Sequence, residues 1–344
     1  MESFSLNRNS SSGSHPGRIA PDEITVFDSS SIALQDLYVA HRLLPERETQ
    51  LGAFELVHQP SRLVASPDMT VDDLLDINDA VDAAIAQGCD GVVITQGTDT
   101  VEEIAFGLDL LYRGPAPVVI TAAMRNASMA GADGPANLLA SVRVAASRTA
   151  RDLGVLVVVN DEIHAARFVR KSHTANTAAF RSAASGPLGW VAEADVRVLV
   201  RPSRRFHVDP PKSREPMAVC LMKMALGDDG RLLSHLSAAG FAGLIIEGFG
   251  GGHVTPQVAE PERLAALVSA IPVVLTSRAG NGEILRSTYG GFAGSETDLI
   301  GNGVIFAGAL DGPKARILLI LLRMNGASRD GIAKAFAEIG PLSG

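Results

Sequence analysis

The chain has 344 residues, of which 46 % are hydrophobic and 20 % charged, with a formal net charge of −8 at neutral pH. That length suits two ordinary domains, and the apolar content excludes wholesale disorder. The negative balance argues against a nucleic-acid surface, and two distant cysteines, Cys89 and Cys220, exclude a disulfide scaffold and a zinc ribbon.

Residues 1–20 carry six serines and few apolar residues and are expected to be disordered. A first strand is predicted at 24–27. Helix 71–87 follows, opened by Thr70-Val71-Asp72-Asp73 in the manner of a capping box. Strand 91–95 leads into helix 101–112, and strand 117–121 leads through a loop into helix 135–147. Asp133-Gly134-Pro135 is a helix start, with proline suited to the first turn. A further strongly apolar strand lies at 154–160. Arg201 to Arg214 is polar, basic and Pro-rich, and reads as a solvated interdomain connection. Beyond it the pattern predicts strands at 218–222, 243–247 and 272–276, and helices at 257–270, 312–324 and 328–338.

Continuous Val/Ile/Leu runs alternating with helices imply a parallel sheet covered on both faces. The expected architecture is α/β: a larger N-terminal domain with a mostly parallel sheet over 21–200, a linker at 201–216 and a smaller C-terminal α/β domain over 217–344. No apolar run approaches the ~20 residues that span a bilayer, so no membrane partner is expected. The start of the sequence has no apolar segment of signal-peptide type, and cysteine usage fits a reducing compartment, so a cytoplasmic location is expected.

The stretch GVVITQGTDTVEE, residues 91–103, crowds polar groups into a strand-to-helix turn. In open parallel sheets ligands bind at such carboxyl ends, next to helix N-termini. Thr100 and Glu103 fit a capping box, which leaves Thr98 and Asp99 without a structural duty. Gly97 permits close backbone approach or unusual dihedrals. For an isolated Thr-Asp pair the plain reading, satisfaction of turn amides, is preferred.

The wider string changes that balance. TQGTDTVEE (95–103) closely resembles the T-H-G-T-D-T-x-E-E motif of the bacterial-type L-asparaginase/glutaminase family, with Gln96 in place of histidine. PVVITAAMRNASMAGADGPANL (117–138) is similar to that family's strand, A-M-R turn and helix start. GVLVVVNDEIHAARFVRKSHT (154–174) is similar to the segment that ends in its catalytic lysine. FRSAASGPLGWV and GPKARILLILL match later landmarks. The resemblance implies a two-domain α/β fold and hydrolysis of the side-chain amide of L-asparagine, with L-glutamine a further substrate. It implies no metal and no cofactor. It also implies a homotetramer, a dimer of dimers with sites at subunit interfaces.

Carried over by position, the resemblance makes Thr98, Asp99 and Lys171 a Thr-Asp-Lys arrangement. The chemistry is coherent: a threonine hydroxyl is a poor nucleophile until a neighbouring base takes its proton, and lysine serves when its amine is neutral. The aspartate orients the lysine, holds the substrate's α-ammonium group, or does both. Without the motif, Lys171 reads as a surface lysine. The same carry-over gives Ser66 the substrate α-carboxylate, although its neighbour Pro67 stands where asparaginases often have glutamine. It gives Ala123 a backbone carbonyl near the amide nitrogen, and it makes Gly97 part of the binding turn.

The family's first nucleophile motif, T-G-G-T-I, has no counterpart here. Two readings stay open. In one, Asp28-Ser29-Ser30-Ser31-Ile32 replaces it and Ser31 supplies the attacking hydroxyl. In the other, the family's first strand is missing and the N-terminal motif is divergent or absent.

GFGGGH (248–253) lacks the full dinucleotide fingerprint and reads as a loop directed toward a neighbouring subunit's site, with His253 where many members have asparagine. Glu283 is a candidate for an acidic residue supplied across that interface, and Trp190 reads as core or interface. A rival from another class remains: a family-like protein that binds a small amino acid as sensor or scaffold without turnover.

Overall fold

The computed structural model describes residues 64–342 in full and residues 23–28 and 55–60 as backbone strands. The larger sheet takes β1 (Glu23–Asp28), β2 (Glu55–Pro60), β3 (Gly91–Thr95), β4 (Val118–Thr121) and β5 (Val155–Val159) as parallel neighbours in the order β5-β4-β3-β1-β2. The helices that cover it are α1 (Val71–Ala86), α2 (Val101–Leu111) and α3 (Gly134–Ala146).

The unbroken apolar runs are explained by the pleat. Val92, Ile94, Val118, Ile120, Val155 and Val157 point to one face, where α1 and α2 lie. Val93, Val119, Leu156 and Val158 point to the other, where α3 lies. Successive side chains alternate, so a strand buried on both sides needs an apolar residue at every position.

After β5 the chain reverses through Asn160 and Asp161, both with positive φ (53° and 61°), as a tight hairpin requires. β6 (Glu162–Ala165) therefore runs antiparallel to β5. A detached hairpin of β7 (Arg170–Lys171) and β8 (Phe180–Arg181) follows, and then β9 (Gly189–Ala192) and β10 (Asp195–Val198) finish the large sheet.

The smaller sheet is parallel throughout the described residues: β11 (Val219–Lys223), β12 (Gly243–Gly248), β13 (Val273–Ser277) and β14 (Ile305–Phe306). Its helices include α4 (Leu233–Leu236), α5 (Leu264–Ala270), α6 (Glu296–Gly301), α7 (Gly312–Met324) and α8 (Arg329–Ile339). α7 packs on β11, β12 and β13 and also on α2 of the larger layer. Gly107 in α2 lets its neighbours come this close: a Cβ there would lie 2.4 Å from Leu74 of α1 and 3.3 Å from Ile317 of α7.

Two expectations change. The helix expected over 257–270 forms only as α5, because Pro261 disfavours helical backbone at Glu260 before it. The 201–214 segment is docked along the larger domain. Arg205 donates to the carbonyls of Tyr112 and Gly114, Val208 is buried, and Arg214 meets Asp72, Asp76 and Asp79 on α1. The Thr70 capping box is present, with Asp73 as its reciprocal partner.

Candidate active site

β3 and β4 are in register at Thr95 and Thr121. The chain beyond each therefore emerges at one sheet edge, and Gly97 and Ala123 each stand two residues past it. β1 ends at the same edge, Asp28 paired with Thr95. Ser31 lies outside the described residues.

Past β3 the turn Thr98–Thr100 is a single turn of 3₁₀ helix leading into α2. Gly97 has ordinary extended dihedrals, φ −68° and ψ 149°. The reason for glycine is space: a Cβ would sit 2.6 Å from Ser66 Oγ. Ser66 opens a second 3₁₀ turn, Ser66–Asp68, in which Pro67 takes a first-turn position where its missing N–H costs nothing. Thr100 does not cap α2. Its hydroxyl donates to the Ser66 carbonyl at 3.1 Å and so ties the two turns together.

Lys171 reaches this edge from β7. Its Nζ donates to Thr98 Oγ1 at 2.8 Å and to Asp99 Oδ1 at 2.6 Å. The lysine hydrogen bond holds the Asp99 carboxyl below its ordinary range, helped by Lys171's charge and the Ser66 hydroxyl against a smaller effect of burial. Asp99 stays 54 % exposed at its side chain, which leaves its outer face open to a cationic group. Ser66 is buried, and its hydroxyl faces Asp99 at 3.3 Å. The structure thus brings Thr98, Asp99, Lys171, Ser66 and Gly97 together.

Ala123 follows β4, where Asn137 fixes the preceding carbonyl: its Nδ2 donates to Ala122 O at 2.8 Å. Asp133 accepts the amides of Met124 and Arg125 instead of capping α3. Gln96 is buried beneath the turn, its Nε2 3.5 Å from both Gly97 O and Thr100 Oγ1.

Sequence reasoning missed what stands behind Lys171. The Lys171 amide donates to Glu102 Oε2 at 2.7 Å, and burial pushes the Glu102 carboxyl up. Lys314, 1 % exposed, bonds Asp311 Oδ2 at 2.9 Å and the Val169 carbonyl at 2.7 Å. The signal was visible only as the charged residues of two helix starts, which the macrodipole alone explains for Glu102 and Asp311.

The other candidates lie elsewhere. Glu283 is exposed and accepts from the Leu342 amide. His253 closes its turn by pairing with Phe249 and lies 3.0 Å from Glu296 Oε2, with Tyr289 and Phe292 edge-on to its ring. Burial pushes the Glu296 carboxyl up, and the Tyr289 amide, His253 and the Thr288 amide outweigh it, so the net direction is down. Trp190 is 39 % exposed on β9, which excludes it from the core of the protomer. Among the described residues there is no cluster of His, Cys, Asp and Glu arranged to hold a metal, and no helix is long and apolar enough to cross a membrane.

Residues 25–204 match the family described as Asparaginase, N-terminal, and residues 218–336 match the Glutaminase/Asparaginase C-terminal domain. The chain is 33 % identical over 282 residues to an L-asparaginase of Bacillus licheniformis, spanning 81 % of this chain and 84 % of that one. It is 35 % identical over 306 residues to a probable L-asparaginase of Deinococcus radiodurans, spanning 86 % and 91 %. Its fold matches the crystal structure of a probable cytoplasmic L-asparaginase from Campylobacter jejuni with a TM-score of 0.83 at 27 % identity, covering 92 % of this chain and 99 % of that chain.

Proposed function

The chain belongs to the asparaginase family, and we propose that it hydrolyses the side-chain amide of L-asparagine, and of L-glutamine, to the acid and ammonia. The observation that carries this reading is the contact of Lys171 Nζ with Thr98 Oγ1 at 2.8 Å. With the amine neutral, its lone pair takes the Thr98 proton along that line, and the alkoxide oxygen gains the negative character that attack on an amide carbon requires. The lysine then returns that proton to the departing ammonia, leaving the acyl group as an ester on Thr98. Water, giving its proton to the same amine, attacks the ester carbon, and the bond to Thr98 Oγ1 breaks to release the acid and restore the hydroxyl. Asp99 orients the lysine through one oxygen and offers its exposed face to the substrate's α-ammonium group. Ser66 is assigned to the α-carboxylate, and the Ala123 carbonyl to the amide nitrogen. Thr98 is the hydroxyl served by the base, and Ser31 is the second hydroxyl to be tested. We further propose a cytoplasmic homotetramer with sites shared between subunits. The intact Thr98–Lys171–Asp99 contacts support turnover over the rival reading of a binding protein without catalysis.

The test is ammonia release from asparagine. Lys171→Met should lower turnover by roughly the 10²–10⁴-fold of a positioned acid–base group while leaving the melting temperature nearly unchanged. Near wild-type turnover in that variant would remove Lys171 from the mechanism.

A further inference from the structure

β7 is only two residues long and, among the described residues, pairs only with the two-residue β8, yet it carries the lysine on which the reaction depends. Three consecutive residues there are each gripped by a charged group. Val169 O accepts from Lys314 Nζ at 2.7 Å. Arg170 Nε lies 3.3 Å from Asp311 Oδ2, and Arg170 Nη1 donates to Gly280 O at 2.9 Å. The Lys171 amide donates to Glu102 Oε2 at 2.7 Å. Asp311 and Lys314 belong to the start of α7, whose N-cap is Asp311, its side chain accepting the Lys314 amide at 3.0 Å.

Burying an ion pair is a poor route to stability, because desolvation offsets most of the attraction and apolar residues of like volume serve as well. A buried pair that donates to the carbonyl immediately before a two-residue strand does something an apolar pair cannot. It fixes where that carbonyl lies, and with it the direction in which the next side chains leave. Glu102 does the same from α2, one residue after Thr98-Asp99-Thr100-Val101. The lysine and its hydroxyl partner are thus referred to a common support, half from each domain.

We propose that Glu102 and the Asp311–Lys314 pair are positioning residues, which hold the backbone of Lys171 so that the C-terminal domain sets the reach of its amine to Thr98. The proposal rests on the reading of Lys171 as the base. Its mechanical part does not. Loss of either support lets β7 shift while Asp99, braced separately by Ser66, keeps its place. Turnover falls and substrate binding holds, since a change made at a distance that misplaces the reacting amine by about 1 Å costs on the order of 10²-fold.

Glu102→Ala, Glu102→Gln and the double variant Asp311→Asn/Lys314→Met test this in the full-length protein. The double variant removes both members of the pair, so neither is left buried alone. Steady-state kinetics on asparagine, hydrogen exchange over residues 169–172 and thermal melting are measured on each. Glu102→Ala and the double variant should lose kcat by about 10²-fold with KM unchanged and exchange faster at 169–172. Glu102→Gln keeps an acceptor for the Lys171 amide and should retain kcat. The Glu102 variants carry the test if the double variant does not fold. Wild-type kcat in Glu102→Ala, a rise in KM matching the loss, or Glu102→Gln failing as badly as Glu102→Ala would overturn the proposal. A wild type without turnover counts against the reaction instead, and unchanged exchange at 169–172 in the variants would then overturn the support.

Discussion

Ser66 and Asp99 hold each other at both ends: the Asp99 amide donates to Ser66 Oγ at 3.3 Å, and Ser66 Oγ donates to Asp99 Oδ2 at 3.3 Å. A substrate carboxylate that takes the serine hydroxyl therefore takes it from Asp99. Ser66→Ala removes both functions and should raise KM for asparagine about tenfold, the equivalent of one modest hydrogen bond, with a smaller effect on kcat. A loss confined to kcat would show that Ser66 serves the geometry of Asp99 alone.

Thr98→Val keeps the side-chain shape nearly unchanged and removes the hydroxyl that Lys171 contacts. Its loss of kcat/KM should be chemical, with the melting temperature retained. If Ser31 is the attacking group, Ser31→Ala should be as damaging, and the double variant no worse than either, because members of one catalytic unit fail together. A silent Ser31→Ala leaves Thr98 as the attacking hydroxyl. An active Thr98→Val defeats the assignment of the turn, and saturable asparagine binding without hydrolysis in the wild type would favour a sensor.

Asp109 gives a pH dependence with a definite sign. Burial pushes its carboxyl from the ordinary 3.8 to about 6, against the Val155 amide and the charges of Arg205 and Arg167, which lower it. The folded state thus binds the proton more tightly than the unfolded state. Stability should fall as pH rises from about 4 to about 6 and level off above, a change on the order of 2–3 kcal/mol. Asp109→Asn keeps an acceptor for the Val155 amide and should raise the melting temperature at pH 8 with little effect at pH 4. Equal effects at both pH values would assign the gain to packing.

Light scattering with activity measured at the same concentration addresses assembly. A tetramer, or at least a dimer, is expected of the active species. Full activity in a monomer would locate the whole site within one chain.

The turn at 95–100 was legible because a strand, a helix start and spare polar residues coincide there, although the capping argument that freed Thr98 and Asp99 was wrong in detail: Thr100 binds the Ser66 carbonyl instead. Strand 91–95 was readable to the residue because burial on both faces leaves its apolar run unbroken, and helix 312–324 because Pro313 marks its start and an apolar run, Ile317 to Leu322, fills its middle. β6 and β10 were not, because these short antiparallel strands near a sheet edge carry Glu162, His164, Asp195 and Arg197 and give no apolar run, and β9 is four residues long and opens on a glycine. Lys171 needed the family motif. Glu102, Asp311 and Lys314 acquire their part only through tertiary burial, which a one-dimensional pattern of charges does not encode.

The seating of α7 against α2 bears on how the chain folds as it is made. Leu74, Phe106 and Leu108 of the first domain share one apolar cluster with Leu318, Leu319 and Leu321 of α7. A nascent chain that has not yet emitted residue 312 has its large sheet and first three helices but lacks the helix that closes this face. The intermediate exposes a sticky apolar strip, the kind of surface that promotes misassembly of partly made chains. Cutting the gene at the linker would make that state permanent, so the two halves should be expressed together or not at all.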